Sequence, residues 1–228
     1  MKKLLLLLFT FLAFFAKGQT FVYHPFPDSV AVWNFYVYLP CPEIVSLQEN
    51  YSIAITGDTI IGGLLYQKLF TPHIIKSYDT TICGGEYPGY KGATRQDTTN
   101  KKVFFIYPSD TAEYLLYDFT MQLGDTVKGI TATSPNDTVL SIDSILVGGS
   151  YRKRWNINPY FNISFIEGIG STYGLIESSP GYAIGTFPYY GLQCFSQDGT
   201  TLYPSTSSNC QLITSIDSPE KIPSQLSV

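Results

Sequence analysis

The strongest constraint on how this chain folds is the period of its apolar residues. Beyond residue 18 no stretch repeats apolar side chains at helical spacing,. Short β-type runs occur instead, broken by Gly, Pro, Asn, Asp or Ser at intervals of about eight to twelve residues,. This texture predicts an all-β chain, an antiparallel β-sandwich or barrel-like domain built from hairpins, with no substantial helix after the first eighteen residues. Composition points the same way. The chain has 18 Tyr and 15 Phe, and its charged fraction of 14% lies well below the usual quarter or so,. Aromatic residues suit a pleated, half-buried surface.

Strands are expected at Val30–Tyr38, Tyr51–Thr56, Leu64–Phe70, Lys102–Tyr107, Tyr114–Phe119, Thr126–Ala132, Thr138–Val147 and Tyr151–Ile157. A later set is expected at Ile163–Glu167, Thr172–Glu177, Leu192–Ser196, Thr200–Tyr203 and Cys210–Ile213. Asp97-Thr98-Thr99-Asn100 reads as a hairpin turn, and so does Gln197-Asp198-Gly199, because Asp-Gly suits a primed turn,. A faint repeat relates Asp58-Thr59-Ile60, Tyr66 and Lys68 to Asp143-Ser144-Ile145, Tyr151 and Lys153. A Gly-Gly pair sits inside each copy, slipped by one residue. Either two related hairpins or shared turn chemistry would produce it.

The first eighteen residues form a separate unit. Lys2 and Lys3 precede an almost wholly apolar run from Leu4 to Phe15, and Ala16-Lys17-Gly18 places small residues where a signal peptidase reads,. The run is too short to span a membrane, which takes about 20 residues. Residues 1–18 are therefore expected to be a cleaved secretory signal, residues 19–213 one β-rich domain and residues 214–228 a polar linker or tail with two prolines,. No later segment is long and apolar enough to span as a helix,. The expected location is secreted or at the cell surface, reached through the periplasm. Loss of Lys2, Lys3 and Lys17 with the signal would move the formal charge from −4 to −7. Such an acidic chain is a poor ligand for phosphate backbones, so no nucleic-acid partner is expected. The basic run Arg152-Lys153-Arg154 reads as a wet strand face,.

Four cysteines in an exported chain suggest two disulfides. Three connectivities are possible, and the sequence-local one is Cys41–Cys83 with Cys194–Cys210,. The second bridge would staple the base of the Gln197–Gly199 hairpin. No Cys-x-x-Cys occurs, and His24 and His73 stand alone, so neither a metal site nor any other cofactor is expected,.

Catalytic templates fit poorly. Neither Gly-x-Ser-x-Gly nor His-Glu-x-x-His occurs,. Gly168-Ile169-Gly170 leads to Gly174 with the wrong spacing for a dinucleotide loop and reads as a tight corner between strands,. Among the glutamates Glu86, Glu113, Glu167 and Glu177, Glu167 is the catalytic candidate, since it ends an apolar run at that corner,. Its plainer role is to accept hydrogen bonds from the corner's backbone. Tyr182, Phe187, Tyr189 and Tyr190, in the Gly- and Pro-rich stretch 178–191, are the ligand-binding candidates,. Their plainer role is packing. Asn-x-Ser/Thr sites occur at Asn50, Asn136 and Asn162,. Asp followed by Ser or Thr and then a small or apolar residue or Thr occurs at positions 28, 58, 79, 97, 110, 125, 137 and 143, mostly as turn chemistry,.

Several segments occur in an order that carries a resemblance. These are Tyr90–Asp97 with Lys102-Val103-Phe104-Phe105, Leu115–Phe119 with Gly124-Asp125-Thr126, Phe165–Ser171, and Leu192–Gly199. Together they resemble the N-terminal β-rich region of secreted Bacteroidota proteins that carry a type IX secretion sorting domain. The likeness covers most of residues 50–213. In such proteins a short Ser/Ile/Asp/Pro linker leads into the sorting domain, and Thr214–Val228 looks like that linker. The chain departs from the pattern in stopping where the sorting domain should begin. The Asp-Ser/Thr sites also resemble that phylum's O-glycosylation motif. The resemblance implies location and assigns no catalytic residues.

Three functional readings follow. The first is a non-catalytic secreted or surface module that binds a glycan or protein through the 178–191 stretch. The second is an extracellular polymer-degrading hydrolase using a carboxylate such as Glu167. The third is a structural spacer. A concave aromatic groove beside Glu167, faced by a second carboxylate, would favour the hydrolase. Tyrosines without such acids would favour binding.

Overall fold

A computed structural model describes residues 22–41, 44–77, 85–132, 137–158, 162–179, 188–206 and 209–214. The signal segment 1–18, Cys83, Asn136, Tyr182, Phe187 and residues 215–228 lie outside the described residues, as does the side chain of Cys41.

The fold is all-β and antiparallel, and no helix occurs among the described residues. The large sheet contains β1 (Ala31–Cys41), β2 (Ile44–Ile61), β3 (Leu64–Thr71), β4 (Ile74–Lys76), β5 (Gly89–Asp97), β6 (Lys102–Ile106) and β7 (Tyr114–Asp118). It is completed by β12 (Tyr189–Gln197) and β13 (Thr200–Tyr203). Its strands run in the order β13-β12-β1-β2-β3-β5-β6-β7 as a curled half-barrel, and β4 adds to β2. The small sheet contains β8 (Ser141–Val147), β9 (Ser150–Asn158), β10 (Ile163–Ile166) and β11 (Gly170–Ser171), in the order β11-β10-β9-β8.

Both sheets close on one core. Alternate residues of a strand share a face, so Trp33, Phe35 and Val37 of β1 point inward with Tyr51, Ile53 and Ile55 of β2. They join Phe105 of β6 and Phe195 of β12, and meet Trp155 of β9 and Phe165 of β10 from the small sheet. The aromatic contacts run on from one sheet to the other. Trp33 stacks on Phe26, Phe26 reaches Tyr117 at 6.1 Å between ring centroids, and Tyr117 meets Phe165 edge-on at 5.2 Å.

Most expected strands form, and the departures have physical reasons. β5 lacks a β-branched run, so its sequence hides it. Its Gly92 leaves room for the Phe105 ring, which a side chain there would approach to 2.5 Å. Thr126–Ala132 forms only the single bridge Thr126↔Thr138, and the chain crosses close beneath Leu115 at Gly129. Thr172–Glu177 and Cys210–Ile213 are not strands, because side chains take up their backbone groups. Tyr117 Oη donates to the Leu175 carbonyl and accepts from the Ser171 N–H at 3.1 Å. Residues 209–214 lie as a strap against β12, β1 and β2. Asn34 Nδ2 donates to the Gln211 carbonyl at 2.8 Å, Ser196 Oγ donates to the Cys210 carbonyl at 2.9 Å, and Ser52 Oγ accepts from the Ile213 N–H at 2.8 Å.

The turns behave as expected. Asp97 accepts from the Asn100 N–H and side-chain amide, and Asp198-Gly199 closes β12 onto β13 with both residues at positive φ. The two Gly-Gly hairpins share a turn, with φ of 59° and 83° at Gly62-Gly63 and 55° and 84° at Gly148-Gly149. That is a primed two-residue turn, which glycine adopts without strain. The rest of the repeat does not superpose. Tyr66 pairs with Thr59 and is buried, whereas Tyr151 pairs with Leu146 and is exposed. Turn chemistry accounts for the likeness.

Cys194 and Cys210 form a disulfide that ties the strap to β12. A disulfide fits an oxidising, extracytoplasmic compartment.

Replacing both Cys194 and Cys210 by Ser should lower the unfolding free energy by about 3 kcal/mol, the chain-entropy value for a loop of this size. Denaturant unfolding of the variant against the parent measures it, and an unchanged midpoint would refute it. Tyr117→Phe should cost about 1–3 kcal/mol, because it strands the buried Ser171 N–H and Leu175 carbonyl,. The same unfolding assay reads that loss.

Candidate functional site

Three constellations of polar and aromatic side chains stand out. The first is a cleft of about 140 Å³ where the two sheets meet. From the large sheet it is lined by Tyr36 of β1, Tyr189 and Tyr190 of β12 and Tyr203 of β13. Arg154 of β9 and Ser164 of β10 line it from the small sheet, with Asn162 and Thr172. The backbone builds it directly. The Leu192 N–H donates to the Thr172 carbonyl at 2.8 Å, and the Thr172 N–H donates to the Ser164 carbonyl at 2.9 Å, so the sheets are joined beside the cleft.

The tyrosines form a belt. Tyr36 opposes Gly191 across the β1–β12 pairing and Tyr38 opposes Tyr189. The Tyr36 ring lies over Gly191, where an added Cβ would come within 2.3 Å of it. Ring centroids are 5.2 Å apart for Tyr36–Tyr38, 6.1 Å for Tyr36–Tyr189 and 5.4 Å for Tyr173–Tyr190. Burial, with a contribution from the Tyr189 hydroxyl, pushes the Tyr36 phenol up to about 12. It therefore stays a neutral donor and acceptor at ordinary pH. Among the described residues the only charged group lining the cleft is Arg154. Asp143 holds it from the neighbouring strand, taking Nε at 2.9 Å and Nη2 at 2.6 Å.

The second constellation is a cluster of acids formed by Glu49, Glu86 and Glu177. Glu86 Oε1 accepts from Tyr190 Oη at 3.1 Å, and Glu86 Oε2 accepts from Lys91 Nζ at 2.8 Å. Glu177 Oε1 lies 3.4 Å from Tyr51 Oη, and Glu177 Oε2 accepts from the Ile176 N–H at 3.0 Å. Fully buried Glu49 pairs with Lys76 at 2.8 Å and accepts from the Glu86 N–H at 2.7 Å. Burial first, and then the negative charge of Glu86, push the Glu177 carboxyl up from 4.5 to about 7. A buried carboxyl raised in this way beside a second acid can take part in proton transfer. Here both are engaged by structural partners.

The third constellation surrounds Glu167. Its side chain is buried at the corner after β10 and accepts from the His24 N–H at 3.4 Å. Burial raises its carboxyl, opposed by that N–H and by the positive charges of Lys153, Lys101 and Arg152. The charges that face it are cations, with no second carboxylate among them. Gly168 is the packing point of this corner. A Cβ there would come within 2.8 Å of the His24 and Pro25 carbonyls. Arg152 is buried beneath the corner with its guanidinium toward the Glu167 carbonyl at 3.4 Å, so the wet-face reading of Arg152 does not hold.

Of the four aromatic candidates, Tyr189 and Tyr190 line the cleft, and Tyr182 and Phe187 fall outside the described residues. Tyr36, Tyr203 and Arg154 were not singled out as binding residues in the sequence. Each sits in a strand at no motif, and only the packing of β9 beside β12 and β13 groups them. His24 lies by Glu167 and His73 in the link from β3 to β4. No group of three or more metal-ligating side chains occurs among the described residues.

Comparison of the chain with known family models, curated proteins and solved structures returns no match.

The Glu177 environment makes stability depend on pH. Its folded-state value lies above its unfolded value, so the folded chain holds the proton more tightly. Stability is fully present below about 4.5 and is lost as pH rises through about 7,. Thermal unfolding across this window should show a loss on the order of 2 kcal/mol, and Glu177→Gln should flatten it. A parent chain equally stable at both ends of the window would contradict the assignment.

Proposed function

We propose that this chain is a non-catalytic glycan-binding β module whose ligand lies in the Tyr36–Tyr189–Tyr203 cleft. The observation that carries the reading is the composition of the cleft. Tyrosines share the lining with hydroxyl and amide side chains, and no carboxylate lines it among the described residues. The electron-rich face of a phenol ring attracts the polarised C–H groups of a sugar. Ser164, Thr172 and Asn162 offer donors and acceptors to its hydroxyls,. Tyrosine also orders at low entropic cost, since it has few rotatable bonds.

The absence of Glu86, Glu167 and Glu177 from the described lining of the cleft supports binding over hydrolysis. Paired-carboxylate hydrolysis needs two acids about 5–10 Å apart flanking the bond. Glu167 is not on the cleft, and cations surround it. Export through a periplasm, expected from the N-terminal segment, would place such a module among extracellular polysaccharides.

A glycan and polysaccharide array, scored for both retention and cleavage, tests the reading. Retention without cleavage is expected. Tyr36→Ala and Tyr189→Ala should each weaken retention about tenfold, the worth of one lost aromatic contact. Released product, or retention indifferent to both substitutions, would overturn it.

A further inference from the structure

The cleft carries one feature that aromatic stacking and hydroxyl contacts leave unused, which is its cation. Arg154 lines the cleft with a side chain 34% exposed. Asp143 engages one edge of the guanidinium, through Nε at 2.9 Å and Nη2 at 2.6 Å. A guanidinium has five N–H donors in a planar fork. Using the Nε–Nη2 edge leaves the end-on edge, made by Nη1 and the outer N–H of Nη2. No other hydrogen bond to the Arg154 guanidinium occurs among the described residues. That edge has the spacing of a carboxylate's two oxygens, and such bidentate pairs give both strength and orientation.

The surroundings favour this use. Asp143 fixes the guanidinium plane, so little rotamer freedom remains to be lost when an anion arrives. The Arg154 hydrogen bonds hold the Asp143 carboxyl below its usual range, so the clamp stays ionised near neutrality. Among the described residues the lining of the cleft includes no acid, and the carboxylate nearest the guanidinium, Asp143, is taken up by Arg154 itself. It lies on a chain whose formal charge is −4, so any anion preference is local to Arg154.

Resting on the glycan-binding reading, we infer that the cleft selects acidic glycans, with Arg154 pairing end-on with the carboxylate of a uronic acid residue. The tyrosines hold the ring and Arg154 reads its charge.

The test uses an array of galacturonan, glucuronan and mannuronan, each beside its carboxyl-reduced, neutral twin, probed with the full chain. At least one uronan should be retained about tenfold or more tightly than its twin, the range expected for a charge-assisted contact. The difference should shrink as salt rises. Arg154→Met should abolish the preference, so that the uronan is retained no more tightly than its twin. Arg154→Lys, which keeps the charge without the fork, should retain part of the preference and keeps the test open if the Met variant does not fold. Equal retention of uronan and twin, or a preference that survives Arg154→Met, would overturn the inference while leaving glycan binding intact. Retention of no glycan on this array or the broader one would overturn both.

Discussion

The hydroxyl of Tyr117 is where the two sheets and the segment between them are joined. The ring lies fully buried on the last strand of the large sheet, against Phe26, Phe119 and Phe165. A buried phenol must find partners for its hydroxyl. This one accepts from the Ser171 N–H and donates to the Leu175 carbonyl. It thereby replaces the ladder hydrogen bonds that the irregular stretch 172–177 does not make. Gly170 lies flat against the same ring, leaving no room for a side chain. Trp33 and Trp155 repeat the device, their indole N–H groups donating at 2.9 Å to the carbonyls of Ile169 and Met121. Large aromatics thus serve twice, as apolar filling and as anchors for backbone that has left the sheets.

That arrangement accounts for the position of the cleft. Thr172 is held one residue beyond the Ser171 anchor, and its carbonyl takes the Leu192 N–H. β12 is thereby drawn alongside β10, with Tyr189 and Tyr190 brought beside Ser164 and Arg154. The strap at 209–214 secures the other side of β12 through Cys210 and through hydrogen bonds with Asn34, Ser52 and Ser196. Asn34, Ser52 and Ser196 are buried as a result. Polar side chains can be buried here because each has a hydrogen-bond partner.

Much of the fold was legible along the chain because antiparallel structure is local. Alternation of period two marks one face of β1, and Gly-Gly or Asp-Gly marks the hairpin ends at Gly62-Gly63, Gly148-Gly149 and Asp198-Gly199,. β5 escaped notice because Gly89–Asp97 is small and polar, and becomes a strand only between β3 and β6. Thr172–Glu177 looked like a strand because its composition is right, yet side chains distant in sequence claim its backbone. The candidate site was legible only in part. Tyr189 and Tyr190 stood out as aromatics in a Gly- and Pro-rich stretch. Glu167 drew attention by its place at a corner, and its neighbours proved to be cations.

The sequence by itself determined the all-β class, the hairpin turns and the tight corner at Gly168 to Gly170. Each depends on chemistry within a few residues or on a closure between near neighbours. Tertiary structure alone decided which polar groups share a space. Tyr36, Arg154, Thr172 and Tyr203 lie far apart in the chain and meet because two sheets pack at one seam. It also decided that Glu177, rather than Glu167, sits beside a second acid, Glu86. Burial and charge proximity are properties of the packed chain, and no local pattern of residues encodes them.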